Sequence, residues 1–229
     1  MMLWQSKFSG MPYLPKGTQY PKGTNGKPLF LLAQLNFDEL PRLAMFPGQG
    51  ILQFYITDND MYGAQFDDMT RQGDFQIRYI SEVIKNQEAL ITDFDFLPSF
   101  EFVPASKACS LIFELSQQSI SVADYQFENK IFSGNIPEPN DAYYKFLGQY
   151  EEKFSASGHR IAGYPYFTQS DPRGNKKYIN DDLQLLFQID SDWNSGVMWG
   201  DAGVGNFFIR EDDLKKCNFS KVMYNWDCC

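Results

Sequence analysis

Three aspartates, Asp190, Asp192 and Asp201, fall close together in the last third of the chain. Carboxylates so placed suit a hard cation such as Ca²⁺ or Mg²⁺, which binds through oxygen. Asp190 and Asp192 end an apolar run with the period-two spacing that turns extended side chains to one face. Asp212 and Asp213 extend the acidic set. A metal-assisted hydrolase is the reaction class such a group would serve. No EF-hand or other metal spacing surrounds it, and acids at these places serve equally as turn caps that accept backbone N–H bonds. Carboxylates held close repel, so a cation or donor groups must offset them. Arg160, Arg173, the Trp199 indole N–H and backbone N–H groups are sufficient donors. The expectation is an acidic functional surface without a structural metal or a cofactor.

His159 is the one histidine, and one His cannot build a multi-His zinc site. It could serve a nucleophile, with Cys109 the obvious candidate, but no nucleophile motif surrounds any Ser or Cys. The other reading is a hydrogen-bonded His beside a cation, Arg160. Gly200-Asp201-Ala202-Gly203-Val204-Gly205 resembles a phosphate loop only superficially, lacking the GK[ST] ending and a following helix. Its glycines suit a tight turn or bulge. Gln34 and Gln188 each interrupt an apolar run. A buried amide must find partners, so each either lines a pocket with Asn36 and Asp190 or staples a loop to the strand. Trp193, Trp199, Tyr164 and Tyr166 lie near the same acids, as in sites for sugars, peptides or basic segments, and equally as in a core.

These residues are positioned by a pattern that occurs twice, about 153 residues apart. Gly10-Met11-Pro12-Tyr13-Leu14 returns as Gly163-Tyr164-Pro165-Tyr166-Phe167. Leu29-Phe30-Leu31-Leu32-Ala33-Gln34-Leu35-Asn36 returns as Leu183-Gln184-Leu185-Leu186-Phe187-Gln188-Ile189-Asp190. Gly50-Ile51-Leu52-Gln53-Phe54-Tyr55 returns as Gly203-Val204-Gly205-Asn206-Phe207-Phe208. In this alignment Ser6 pairs with His159 and Lys7 with Arg160. The retained cation suggests an ion pair between repeats or bonds to backbone carbonyls. The blocks keep their order, which points to an old duplication: repeats over 7–80 and 159–229, joined by a middle segment over 81–158.

Residues 29–35, 51–56, 75–80, 183–189, 206–209 and 222–224 read as strands, because they are short, apolar, and rich in β-branched or aromatic residues. Residues 94–96 and 100–103 look extended, and 111–115 fit a strand or a short helix. Prolines and glycines over 12–28 exclude helix and central strand there, and Pro41 limits 37–40 to one helical turn. Asn140 caps an amphipathic helix over 141–154, with Tyr143, Phe146, Leu147, Tyr150 and Phe154 on one stripe and Gly158 beyond its end. The fold class is α+β: strand-rich, with two tandem pseudo-repeats sharing contacts, mainly antiparallel sheets and a few helices, in one domain over 1–229.

The net charge is −9, and no basic cluster is longer than two residues. That argues against nucleic acid and against an anionic membrane surface. With 21 Phe, 13 Tyr and 4 Trp the chain has the means to bury a large core. There is no signal peptide and no apolar span. Four cysteines without a CxxC pair read as reduced thiols of a cytoplasmic protein.

The blocks Ser6-Lys7-Phe8-Ser9-Gly10-Met11-Pro12, His159-Arg160-Ile161-Ala162-Gly163-Tyr164-Pro165, Gln188-Ile189-Asp190-Ser191-Asp192 and Met198-Trp199-Gly200-Asp201-Ala202-Gly203 resemble the YwqG family of bacterial proteins, a domain of unknown function. The resemblance implies a two-repeat α+β fold and a bacterial cytoplasmic origin, with no catalytic residues to transfer. Members usually carry a helical leader before the Ser-Lys block, so this chain reads as a shortened form. The functional expectation is a non-catalytic binding or interaction module for an unknown protein or a small polar ligand, such as an acidic inhibitor or immunity-type protein. The alternative is the hydrolase built on Asp190, Asp192 and Asp201. Candidate binding residues are Gln34, Asn36, His159, Arg160, Arg173, Gln188, Asp190, Asp192, Trp199 and Asp201.

Overall fold

The computed structural model describes residues 1–228 and contains two antiparallel sheets. Strands β1 (Lys7–Phe8), β2 (Phe30–Asn36), β3 (Ile51–Ile56), β4 (Phe75–Ile80) and β5 (Cys109–Ser110) form the first, in the order β4-β3-β2-β1-β5. Strands β6 (Arg160–Ile161), β7 (Leu183–Asp190), β8 (Val204–Arg210) and β9 (Met223–Asp227) form the second, in the order β6-β7-β8-β9. Helices α1 (Phe127–Phe132), α2 (Asp141–Lys153) and α3 (Glu211–Lys215) complete an α+β fold.

β2 and β3 read as continuous apolar runs because every residue in them is buried, on both faces. β4 alternates because it is an edge strand with one wet face. Lys7 lies opposite Gln34, and Gln34 opposite Gln53; Arg160 lies opposite Gln188, and Gln188 opposite Asn206. β2 bulges between Leu31 and Ala33, and β7 between Leu185 and Phe187. The extra residue of each bulge, Leu32 or Leu186, is wholly buried in the same core cluster.

That cluster joins the sheets. Phe54 of β3 packs at 5.0 Å from Phe187 of β7 and at 4.8 Å from Phe207 of β8, and Phe75 of β4 lies 5.2 Å from Tyr224 of β9. Aromatic pairs at these centroid separations add to what area burial supplies, so the halves hold each other through one core.

Helix α2 starts where Asn140 accepts the Tyr143 N–H at 3.0 Å. Its aromatic stripe meets α1, with Tyr150 at 5.0 Å from Phe127 and Phe146 at 5.7 Å from Phe132. Only Tyr143 of that stripe is buried, so this pair of helices forms a surface layer. Residues 94–96 and 100–103 form no strand, and residues 111–115 form neither strand nor helix. Their phenylalanines are anchors from loops, as when Phe100 packs edge-on to Phe30 at 5.2 Å. Cys109, Cys217 and Cys228 are free thiols, and Cys229 lies outside the described residues. Among the described residues no helix is long and apolar enough to cross a membrane.

Candidate functional site

The two buried amides do the same work in each half. Gln34 Oε1 accepts the Tyr13 N–H at 2.8 Å, and its Nε2 donates to the Leu3 and Gln5 carbonyls, both at 2.8 Å. Gln188 Oε1 accepts the Tyr166 N–H at 2.7 Å, and its Nε2 donates to the Ala156 and Gly158 carbonyls at 2.9 and 2.7 Å. Both are wholly buried, and neither lines the cleft described below. They staple two loops to a strand. The sequence reading missed Gln53 and Asn206, which close each frame from the next strand by donating to the Tyr13 and Tyr166 carbonyls at 2.7 and 2.9 Å. Their signal was a polar residue in the same place of the third repeated block.

Asn36 and Asp190 end their strands in the same manner. Asn36 donates through Nδ2 to the Trp4 carbonyl and accepts the Asp38 N–H, while its own N–H goes to Ser6 Oγ at 2.8 Å. Asp190 accepts the Gly158 and Ser191 N–H groups at 2.5 and 2.8 Å, and its own N–H goes to His159 Nδ1 at 3.1 Å. His159 thus holds the bond that Ser6 holds in the first half.

This bond decides the chemistry of His159. A ring nitrogen that accepts an N–H carries no proton, so in the neutral ring Nε2 is the donor. Nε2 faces Asp192 Oδ2 at 3.6 Å and Ser195 Oγ at 3.5 Å. A protonated Nε2 cannot take the Ser195 proton, so these residues do not form a serine nucleophile pair. Burial pushes the imidazole pKa below its usual value, against the pull of Asp192 and Asp190. Asp192 is held below the usual carboxylate range by the Asn194 N–H and by Ser195, with His159 contributing. Cys109 is hydrogen-bonded only locally, to the Ser110 carbonyl, and not to His159.

Arg173 and Trp199 do not reach the acids at all. Arg173 is buried against Asp124 and Asp171, at 2.7 and 2.6 Å, and donates to the Leu183 carbonyl at 3.0 Å. Burial opposes its charge, but Asp171 and Asp124 prevail and raise its pKa. Trp199 is wholly buried between Tyr62 and Trp226, and its Nε1–H has no partner among the described residues. It lies over Gly205, where a Cβ would collide with the indole ring. Asp201 is exposed in the turn beside it. Among the described residues no group of three or more His, Cys, Asp or Glu is placed to hold a metal ion. Asp190, Asp192 and Asp201 are therefore not placed together as the ligands of one metal ion. The close glycines serve the turn: a Cβ on Gly203 would strike the Asp227 carbonyl.

What the fold does build is a cleft of about 610 Å³ between residues 111–118, which lead away from β5, and the edge strand β6. Phe8, Leu111, Phe113 and Phe187 supply apolar wall, and Glu114, Ser116, Gln117, Ser155, His159 and Arg160 supply polar wall. These last two are the only members of the candidate set that reach it. The Arg160 guanidinium donates to the Ser157 carbonyl, while its buried Nε–H has no partner among the described residues. Gln118 closes one end by accepting the Tyr164 N–H at 2.9 Å and donating to the Tyr164 carbonyl at 3.1 Å. Gly163, at φ +77°, leaves the space that Gln118 occupies.

A family model for a domain of unknown function, DUF1963, matches residues 6–228. The chain belongs to the DUF1963 family. A search of curated proteins gave no match. The DUF1963 match spans both sheets and the segment between them, so the cleft beside β6 lies wholly inside the family domain.

Proposed function

We propose that this DUF1963 domain is a non-catalytic binding module whose site is the cleft beside β6. One observation carries the reading: a concave site of about 610 Å³ with mixed apolar and polar walls, on which a guanidinium is set with one buried N–H unmatched among the described residues. Ligand sites commonly have this size. The unpartnered Arg160 Nε–H favours an acceptor, such as a carboxylate or carbonyl, on a small polar ligand or a partner protein. The His159 geometry supports binding over nucleophilic catalysis, because its base nitrogen is already committed to the Asp190 N–H. A bacterial cytoplasmic setting, with an inhibitor or immunity-type role, belongs to the same proposal. So does descent by duplication, which the matched strand order and matched amide frames support.

Protein-observed NMR with a set of carboxylate and amide fragments tests the reading. Hits are expected to shift the amides of Ile161, Gly163, Phe113 and Gln118 together, and to weaken in Arg160→Gln. Hits that scatter over the surface, or that ignore Arg160→Gln, would remove the cleft as the site.

A further inference from the structure

The edges of β1 and β6 have the same register but different fates. In the first sheet Phe8 lies opposite Cys109 of β5, and the Leu111 N–H donates to the Ser6 carbonyl at 3.2 Å. The Ser9 N–H donates to the Leu32 carbonyl at 3.0 Å, so Lys7 and Ser9 face β2 and Phe8 faces β5. Ile161 occupies the place of Phe8 in the second sheet, opposite Phe187 as Phe8 is opposite Ala33. The same alternation, fixed by the Asp190 N–H turning to His159, directs the Ile161 N–H and C=O away from β7, where the second sheet has no further strand among the described residues.

The facing wall is equally unmatched. Residues 112–117 form no regular structure and no backbone–backbone hydrogen bonds among the described residues. Ile112 is 90% exposed and Leu115 is 71% exposed. One side chain, Gln118, reaches across to Tyr164 and imitates the peptide group of a neighbouring strand. Two unpaired backbones thus flank the cleft, and unpaired strand edges are templates for another strand.

We propose that the outer edge of β6 takes an extended segment of a partner protein as an added antiparallel strand, with an aliphatic side chain beside Ile161 and a carboxylate beside Arg160. The inference rests on the cleft being a binding site. Its chemistry follows from the two faces of the edge. A residue opposite Ile161 shares its face, which packs on the core cluster next to Phe8 and Phe187. The next residue shares the face of Arg160, whose guanidinium makes one hydrogen bond, to the Ser157 carbonyl, with the charge of Asp190 nearby, so its remaining Nη donors suit an acidic acceptor. Main-chain bonds give such a complex affinity, and alternate side chains give it selectivity.

The probe is a blocked synthetic heptapeptide that copies residues 106–112 of this chain with Cys109→Val and Ser110→Asp. It offers β6 the backbone that β5 offers β1, with the aliphatic and acidic side chains of the proposal. Calorimetry on the full chain is expected to show saturable binding, and hydrogen exchange is expected to show slowing of the Ile161 amide in the complex. N-methylation of the peptide at its position 109 removes the amide that pairs with Ile161 and is expected to weaken binding about tenfold or more. N-methylation at position 110 is expected to matter less. Arg160→Gln is expected to weaken this peptide about tenfold, but not the version that keeps Ser110. Absence of binding at millimolar peptide overturns the proposal. So does an Ile161 amide already protected in the free protein, which would mean that residues 112–117 or a second copy occupies the edge. If the peptide binds and shifts the cleft amides, yet N-methylation at 109 and Ile161 exchange show no effect, strand addition falls while the binding cleft stands.

Discussion

Among the described residues the first half of this molecule pairs all its buried side-chain polar atoms, and the second half, built on the same strand order, does not. Lys7 donates to three carbonyls, those of Met2, Leu3 and Met11, at 3.2, 2.9 and 2.9 Å. Burial lowers its pKa to about 8 despite the nearby Glu39, which still leaves an ammonium at neutral pH, with three donors for three acceptors. Arg160, in the same register position, reaches one carbonyl and keeps Nε unmatched. Gln53 bonds Gln34 as well as Tyr13, and Tyr55 completes its Oε1. Asn206 is one methylene shorter and leaves Oδ1 buried without a partner among the described residues. β5 closes the edge of β1, and the edge of β6 is open. Buried unmatched groups cost stability. A scaffold tolerates them most readily where function needs them, which favours the proposed site in the second half.

The largest test of the comparison is the pair Tyr20 and Arg173. Tyr20 OH donates to the Leu29 carbonyl at 2.9 Å, and Arg173 Nη1 donates to the matching Leu183 carbonyl at 3.0 Å. The first solution is neutral, and the second brings a buried cation with two acids. Arg173→Leu strands Asp124 and Asp171 and should destabilise by about 3–5 kcal/mol in urea unfolding. Tyr20→Phe removes one hydrogen bond and should cost about 1 kcal/mol. Equal losses would refute the idea that the halves solve one problem by different chemistry. The next test is Gln34→Leu against Gln188→Leu. Each strands one N–H and two carbonyls and should cost about 1–3 kcal/mol, with Gln34 the larger because Gln53 also loses a partner.

How much of this was legible in the sequence depends on element length. β2, β3, β4, β7 and β8 carry enough apolar residues to declare themselves. β1, β5 and β6 have two residues each, too few for any period, and the cleft is made by two of them. His159 and Arg160 were flagged by their place before a repeated block, but their open edge was not readable. Gln34 and Gln188 stood out as amides in apolar runs. Gln53 and Asn206 hid because they differ in type. Arg173 was assigned to the wrong acids, because Asp124 comes from the middle segment, which has no twin to align.

The exchange of Ser6 for His159 should make the second half pH-sensitive. Burial holds the folded His159 pKa below its unfolded value of 6.5. The unfolded chain therefore binds the proton first as pH falls, and the stabilisation present above 6.5 is lost between 6.5 and the folded pKa. Urea midpoints should drop as pH falls through that window. In His159→Ser, which restores the arrangement of the first half, this component should vanish. A slope unchanged in the variant would mean that other groups dominate.

The smallest expected effect separates the acids from the cleft. In the repeat alignment Gly48 stands where Asp201 does, and the first half keeps its turn without a carboxylate there. Asp201 is exposed, and no side-chain hydrogen bond or ion pair holds it among the described residues. Asp192 instead caps its own turn, accepting the Asn194 and Ser195 N–H groups at 2.9 and 3.0 Å. With those bonds made, the carboxylates need no cation to offset them. Asp201→Asn should shift stability by no more than about 0.5 kcal/mol. Calorimetric titration of chelated protein with Ca²⁺, Mg²⁺ and Mn²⁺ should show no saturable site, and chelator should not move the melting temperature. Micromolar binding abolished by Asp190→Asn or Asp201→Asn would relocate the working surface from the β6 edge to the acids, and would bring back the metal-assisted hydrolase.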